Sequence, residues 1–145
     1  MSGYRYTMRH LEGLVDRLNR TTGAELESYR DATEAEKAAG FALVSNVGTY
    51  YLMGAYGGHK LVQITNYGGG VRDVLRVGYS SKRELYYAMH AYLDGIDAAA
   101  TDSHYSVEAL QARAGTIERA MQESLDRREK FRREEEARNA EGVAS

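Results

Sequence analysis

GTYYLMGAYGGHKLVQITNYGGGVRDVLRVGYSSKRELYYAMHAYLDGID, residues 48–97, is the stretch whose reading decides the fold. Gly57-Gly58 stands between two runs rich in tyrosine and aliphatic residues. Two glycines supply the positive φ angles of a tight type I′ or II′ hairpin. Strands are therefore predicted over about 49–56 and 59–67. In the second, Val62 and Ile64 alternate with Gln63 and Thr65, the period of a sheet with one face buried and one wet. Gly68-Gly69-Gly70 then reverses the chain, and residues 71–79 read as a third strand. Val71, Leu75 and Val77 fall on one side of it, and Arg72, Val74 and Arg76 on the other. Asp73 lands on the apolar side and must stay wet or find a partner.

A helix follows, with marked ends. Ser81 and Glu84 have the Ser-x-x-Glu spacing of a capping box, which satisfies two free N–H groups reciprocally. Leu85, Met89, Leu93 and Ile96, with Tyr92, make an apolar stripe at helical spacing. Gly95-Ile96 reads as a glycine stop with a hydrophobic residue folding back. The unit is a three-stranded antiparallel meander with one helix packed across it.

Outward from this unit, Thr7 can cap an N-terminal helix that runs to about Thr21 and is ended by Gly23. Met8, Leu11, Leu14, Val15 and Leu18 form its apolar face, with Arg9, His10, Glu12, Asp16 and Arg17 on the polar side. Residues 24–32 read as a short extended piece. Thr33 and Glu36 form a second capping box, opening a short polar helix that Gly40 stops. The apolar run 41–44 suits an edge strand or an anchor for this excursion. Ser106 can cap a long helix to about Asn139, carrying the seam Val107, Leu110, Ala114, Ile117 and Met121. Beyond Asp126 the seam fades into interleaved charges, such as Glu129 with Arg133 and Glu134 with Arg138. The expected class is α+β: a domain over 1–98, a linker over 99–105, and a C-terminal helix with a charged tail over 106–145. The seam over 107–125 is a candidate homodimer contact.

Composition narrows the chemistry. The absence of cysteine among 145 residues excludes disulfides, thiolate catalysis and cysteine-based zinc sites. No apolar run approaches the roughly 20 residues of a membrane span. The opening MSGYRYTMRH lacks the apolar core of a secretory signal, so a cytoplasmic location is expected. A net charge of −2 gives no overall basic field. Tyrosine is the anomaly, at 12 residues against 2 phenylalanines. Its ring packs while its hydroxyl stays wet, which suits sheet edges and partner surfaces alike.

The four histidines, His10, His59, His90 and His104, show no metal-ligand spacing, and neither a metal nor a cofactor is expected. Asp73, Asp94 and Asp97 are the carboxylates left open for acid–base work. The triglycine at 68–70 could approach a phosphate but opens a strand, so it reads as a turn. The most suggestive cluster joins His59 and Lys60 of the hairpin to Ser80, Ser81, Lys82 and Arg83 at a helix start. Free N–H groups and two adjacent bases there can hold an anion.

Helix, three antiparallel strands, helix is also the order of the double-stranded RNA-binding domain, which this chain resembles in spacing. His59 and Lys82-Arg83 take the places of that family's loop histidine and helix-start lysine pair, and Glu12 that of its first-helix polar contact. The family's loop proline is absent, and Tyr86 stands at its later lysine position. LNRTTG at 18–23, GAYGGHKLVQ, GGGVRDVL and SSKRELYYAMHAYLDGI are similar to small uncharacterised proteins encoded by bacteriophages. That resemblance implies a phage or prophage source and a host-cytoplasm location, and it brings no activity. The expectation is a non-enzymatic phage accessory protein binding a host or phage macromolecule. The alternative is an RNA- or nucleotide-binding module using the hairpin loop and helix start, and an enzyme is a third reading.

Overall fold

The computed structural model describes residues 5–98 and 105–143. In chain order the elements are α1 (Met8–Thr22), β1 (Tyr29–Asp31), α2 (Glu34–Ala38), β2 (Leu43–Ser45), β3 (Tyr50–Ala55), β4 (Gly58–Ile64), β5 (Val71–Asp73), α3 (Lys82–Ala98), α4 (Val107–Ala114) and α5 (Ile117–Val143). The fold is α+β. Strands β3, β4 and β5 form an antiparallel sheet in that order, and β1–β2 is a separate antiparallel ribbon. No helix among the described residues is long and apolar enough to cross a membrane.

The α1 face is as spaced in the sequence. Leu11, Leu14, Val15 and Leu18 are buried against Tyr50 and Leu61 of the sheet and Leu85, Met89 and Leu93 of α3. The Thr7 N–H donates to His10 Nδ1 at 3.0 Å, so an imidazole takes the place of the glutamate in an ordinary capping box. Gly23, at φ 76°, ends the helix in the left-handed region. Asn19 is fully buried. Its amide donates to the Tyr50 carbonyl at 3.0 Å and its oxygen accepts the Tyr50 N–H at 2.8 Å, which satisfies the first residue of β3.

The register of the β3–β4 hairpin closes on Ala55↔Gly58. The turn therefore lies on Tyr56 and Gly57, at φ 53° and 74°, one residue earlier than the expected Gly57-Gly58. Two positive φ angles make it type I′. Gly58 is small for another reason: a Cβ there would lie 3.0 Å from the Ser80 carbonyl oxygen. The expected wet face is absent. Leu61 and Gln63 on one face and Val62 and Ile64 on the other are each 0% exposed. Helices α1 and α3 cover the first face. On the second, burial and the neighbouring Tyr29 hydroxyl of β1 push the Tyr51 phenol up, which puts the β1–β2 ribbon on that side.

The third strand is shorter than its sequence suggests. Asp73 accepts the N–H groups of Arg76 at 3.0 Å and Gly78 at 3.3 Å, which turns the chain out of the sheet. Strict alternation fails here: Val74 is buried and its neighbour Leu75 also packs against the core, while Val77 is 59% exposed. In α3, Ser81 Oγ accepts the Glu84 N–H at 3.2 Å, and Leu85, Met89 and Leu93 are buried as their spacing requires. Gly95 is no stop. It keeps a negative φ, and α3 continues through Ala98.

A largely buried acid, paired with Arg30, helps to hold the excursion before the sheet. Glu36 and Thr33 cap each other through the backbone at 3.2 and 2.9 Å. Both Glu36 oxygens also accept from the Arg30 fork at 2.8 Å. Glu36 is 4% exposed, so the helix read as polar contains a buried acid. The Arg30 hydrogen bonds, followed by the Thr33 N–H, hold its carboxyl at about 2. The run 41–44 resolves into β2, with Val44 buried and Leu43 half exposed.

The C-terminal helix is two helices. Ser106 caps α4 as expected, but Gly115, at φ 73° and ψ −149°, breaks the run. Thr116 Oγ1 then accepts the Arg119 N–H at 3.1 Å and opens α5. Val107 and Leu110 are buried within the chain, with Val107 against Gly48. The first two seam positions are thus covered by the protein itself. Ser124 Oγ donates to the Ala39 carbonyl at 2.7 Å and Arg128 to that of Ala38 at 3.2 Å, which fixes the near half of α5 to α2. Glu129 pairs with Arg133 at 3.1 Å and with Arg132 at 2.8 Å, and the expected Glu134–Arg138 pair is not formed. Residues 99–104, most of the expected linker and including His104, lie outside the described residues.

Candidate functional site

The corner where the β3–β4 hairpin meets the start of α3 gathers the residues singled out in the sequence. His59 and Ser80 form an antiparallel bridge. The His59 N–H donates to the Ser80 carbonyl at 2.9 Å, and the Ser80 N–H to the His59 carbonyl at 2.8 Å. This stitch brings the hairpin beside Ser81, Lys82 and Arg83 without any help from side chains. It also crowds Gly58, where a Cβ would make the Ser80 backbone give way.

The six residues do not converge on one point. His59 and Lys60 are neighbours on a strand and face opposite sides of the sheet. The His59 ring lies over Gly54, while Lys60 Nζ sits 4.6 Å from the centroid of the Tyr79 ring. Ser81 is committed to capping. The Arg83 guanidinium lies 5.9 Å from the Tyr87 ring centroid, turned toward a different neighbourhood.

That neighbourhood is an aromatic cluster of Tyr6, His10, Tyr86, Tyr87 and His90 at adjoining ends of α1 and α3. The Tyr6 and Tyr86 rings are 4.4 Å apart at their centroids, and Tyr86 and His90 4.9 Å. His10, expected on the polar side of α1, is half-buried and edge-on to Tyr6 and Tyr86. The Tyr6 hydroxyl donates to that of Tyr87 at 3.0 Å. This donation raises the Tyr6 phenol to about 12, and it lowers that of Tyr87, whose phenolate it would stabilise together with Arg83.

Two residues of the corner escape a sequence reading. Tyr56 occupies the first turn position and is 95% exposed. Tyr79 meets it edge-on with centroids 5.5 Å apart. The signal was the tyrosine directly before Gly57-Gly58. Placing the turn one residue later puts Tyr56 in a strand, where its exposure and backbone are unremarked.

The other sequence candidates are occupied. Asn66 Oδ1 accepts the N–H groups of Gly68 at 3.0 Å and Gly70 at 2.9 Å, and the Gly69 N–H donates to the Asn66 carbonyl at 3.2 Å. The triglycine is a turn closed on itself, with its amide donors used. Asp73 serves backbone N–H groups, Asp94 is exposed, and the Asp97 side chain lies outside the described residues. Among the described residues no three His, Cys, Asp or Glu side chains gather to hold a metal ion. Set beside known protein families, curated proteins and solved structures, the chain matches none of them.

Proposed function

We propose that this chain is a non-enzymatic binding protein that docks a macromolecular partner at the corner of the β3–β4 hairpin and α3. On the resemblance of its short motifs, it is proposed to be a phage accessory protein acting on a host or phage protein in the host cytoplasm. The observation that supports the docking surface is Tyr56. A side chain at positive φ costs about 1–2 kcal/mol relative to glycine, and asparagine, aspartate or glycine is the usual occupant of this turn position. Tyr56 instead places a large ring there, 95% exposed, with a single edge contact to Tyr79. The fold gains little from that ring. A partner surface would gain much, because a rigid aromatic with a polar tip is the kind of group that anchors interfaces.

Lys60 favours a second reading, in which the partner is RNA. Its ammonium rests on the Tyr79 ring beside Tyr56, with Lys82 close in the chain. Stacking rings interleaved with cations serve single strands, where bases stack and phosphates pair.

Pull-down from bacterial lysate, with and without nuclease, tests both readings against a Tyr56→Gly variant. Glycine suits the turn, so the variant should melt at or above the wild-type temperature. A species retained by the wild type and lost by the variant supports the corner. Its survival of nuclease assigns a protein partner, and its loss assigns nucleic acid. Identical recovery by both proteins would remove the corner from consideration.

A further inference from the structure

We propose that the cleft between β5, the turn after it and α4 binds a small phosphate ester. This site is separate from the hairpin corner and does not rest on the function proposed for it. The cleft encloses about 460 Å³ and is lined by Arg72, Arg76 and Arg113, with Thr65, Asn66 and Tyr105 among its other walls. That volume lies within the range of small-molecule sites. Among the described residues Asp73 is the one carboxylate of the lining. It is committed to the N–H groups of Arg76 and Gly78 and makes no ion pair with an arginine side chain.

Arg72 is fixed by neutral groups. Its Nε donates to Gln63 Oε1 at 2.8 Å, its Nη2 to the Tyr92 hydroxyl at 3.4 Å, and its guanidinium lies 4.0 Å from the Tyr105 ring centroid. Gln63 is itself fully buried. It is held by donating to the carbonyls of Gly48 at 3.1 Å and Tyr105 at 3.4 Å. These contacts use one face of the guanidinium and two of its five N–H donors, and Nη1 has no hydrogen-bond partner among the described residues. Among the described residues no carboxylate lies within ion-pair distance of Arg72 or Arg76. A planar fork set rigidly with one edge free is the group that takes a phosphate through parallel bonds.

Arg76 adds a different kind of argument. Its φ is 56°, in the region where every residue but glycine is strained. The Asp73 bond to its N–H holds it there. Its guanidinium has no hydrogen-bond or ion-pair partner among the described residues. The backbone would be easier with no side chain at this position, yet a long cation stands there beside the cleft. Arg113 approaches the same Tyr105 ring as Arg72, at 5.9 Å from the centroid. Arg72 and Arg76, neither paired with a carboxylate among the described residues, suit a phosphate, whose three terminal oxygens can be shared between two guanidinium forks, better than a carboxylate, which offers two oxygens.

The test is an amide NMR titration of the full chain with inorganic phosphate, adenosine monophosphate, and succinate as a carboxylate control, all at one ionic strength. Both phosphates should give saturable shifts centred on Thr65, Asn66, Arg72, Arg76 and Arg113, with succinate at least ~tenfold weaker. Arg76→Gly relieves the backbone and should melt no lower than wild type, yet it should bind phosphate at least ~tenfold more weakly. Arg76→Gln, which keeps a side chain and removes the charge, should lose the same affinity. Absence of saturable shifts would overturn the proposal. So would shifts spread over the arginines of α5, wild-type affinity in both Arg76 variants, or succinate binding as tightly as phosphate.

Discussion

Helices α1 and α5 are both regular, but different forces hold them. α1 has 15 residues and buries Leu11, Leu14, Val15 and Leu18. α5 has 27 residues, and none of its described side chains is buried. α1 exists because its apolar face has a sheet and α3 to lie against. Beyond Arg128, α5 is supported by ion pairs within itself, Arg132 with Glu129 and Glu136 and Arg133 with Glu129. Such pairs on an exposed helix surface contribute little each and weaken with salt. One helix is specified by tertiary packing and the other by local sequence, so damage to each should look different.

The largest contrast should come from truncating one apolar side chain in each region. Leu61 is 0% exposed where β4 meets α1 and α3, and Leu61→Ala should cost about 2–5 kcal/mol. Phe131, on α5, is 60% exposed, and Phe131→Ala should stay within about 0.5 kcal/mol of wild type. Urea denaturation of the two variants measures both. A similar cost at each site would mean that α5 is buried in solution, by a second copy or otherwise.

Acid should separate the buried ion pair from the exposed ones. Glu36 has a carboxyl held at about 2, below its ordinary 4.5. A depressed folded value stabilises the native state fully above the ordinary one, and the benefit fades as pH falls toward the folded value. Glu36→Gln should therefore be clearly less stable than wild type at neutral pH, with the gap narrowing from about pH 4.5 downward. A gap independent of pH would show that the Arg30–Glu36 charge pair is not its source.

The smallest effect is expected from removing the outer part of α5. A chain ending at Asp126 keeps the Ser124 bond to α2 and loses the Arg128 bond. Its melting temperature should fall by no more than a few degrees. A large drop would show that the charged segment carries stability absent from its contacts with α2.

What the sequence revealed follows the same division. The α1 face, the caps at Thr33, Ser81 and Ser106, and the stripe of α3 were legible because local pattern and tertiary burial agree there. Three misreadings fall where glycine has more than one use. Gly58 serves a close approach to Ser80 rather than a turn angle, and Gly95 sits inside a helix. Gly115 breaks the C-terminal helix outright. A sequence shows that a glycine is present, and only the fold shows whether it is needed for φ, for space or for neither. The third strand failed for a related reason: Asp73 captures two backbone N–H groups, and no alternation pattern carries that. The hairpin corner was partly visible because its residues are near in sequence. The arginine cleft was not, because Arg72, Arg76 and Arg113 come from a strand, a strained turn and a later helix.

The outer part of α5 also sets a distance. Fifteen residues follow the last bond to α2, from Glu129 to Val143, and at about 1.5 Å per residue they reach roughly 22 Å. Rather than a tether, this is a cantilever clamped near Ser124 and Arg128. Cargo fused to its tip would be carried at a set standoff from the domain, and its tumbling would be coupled to that of the whole protein.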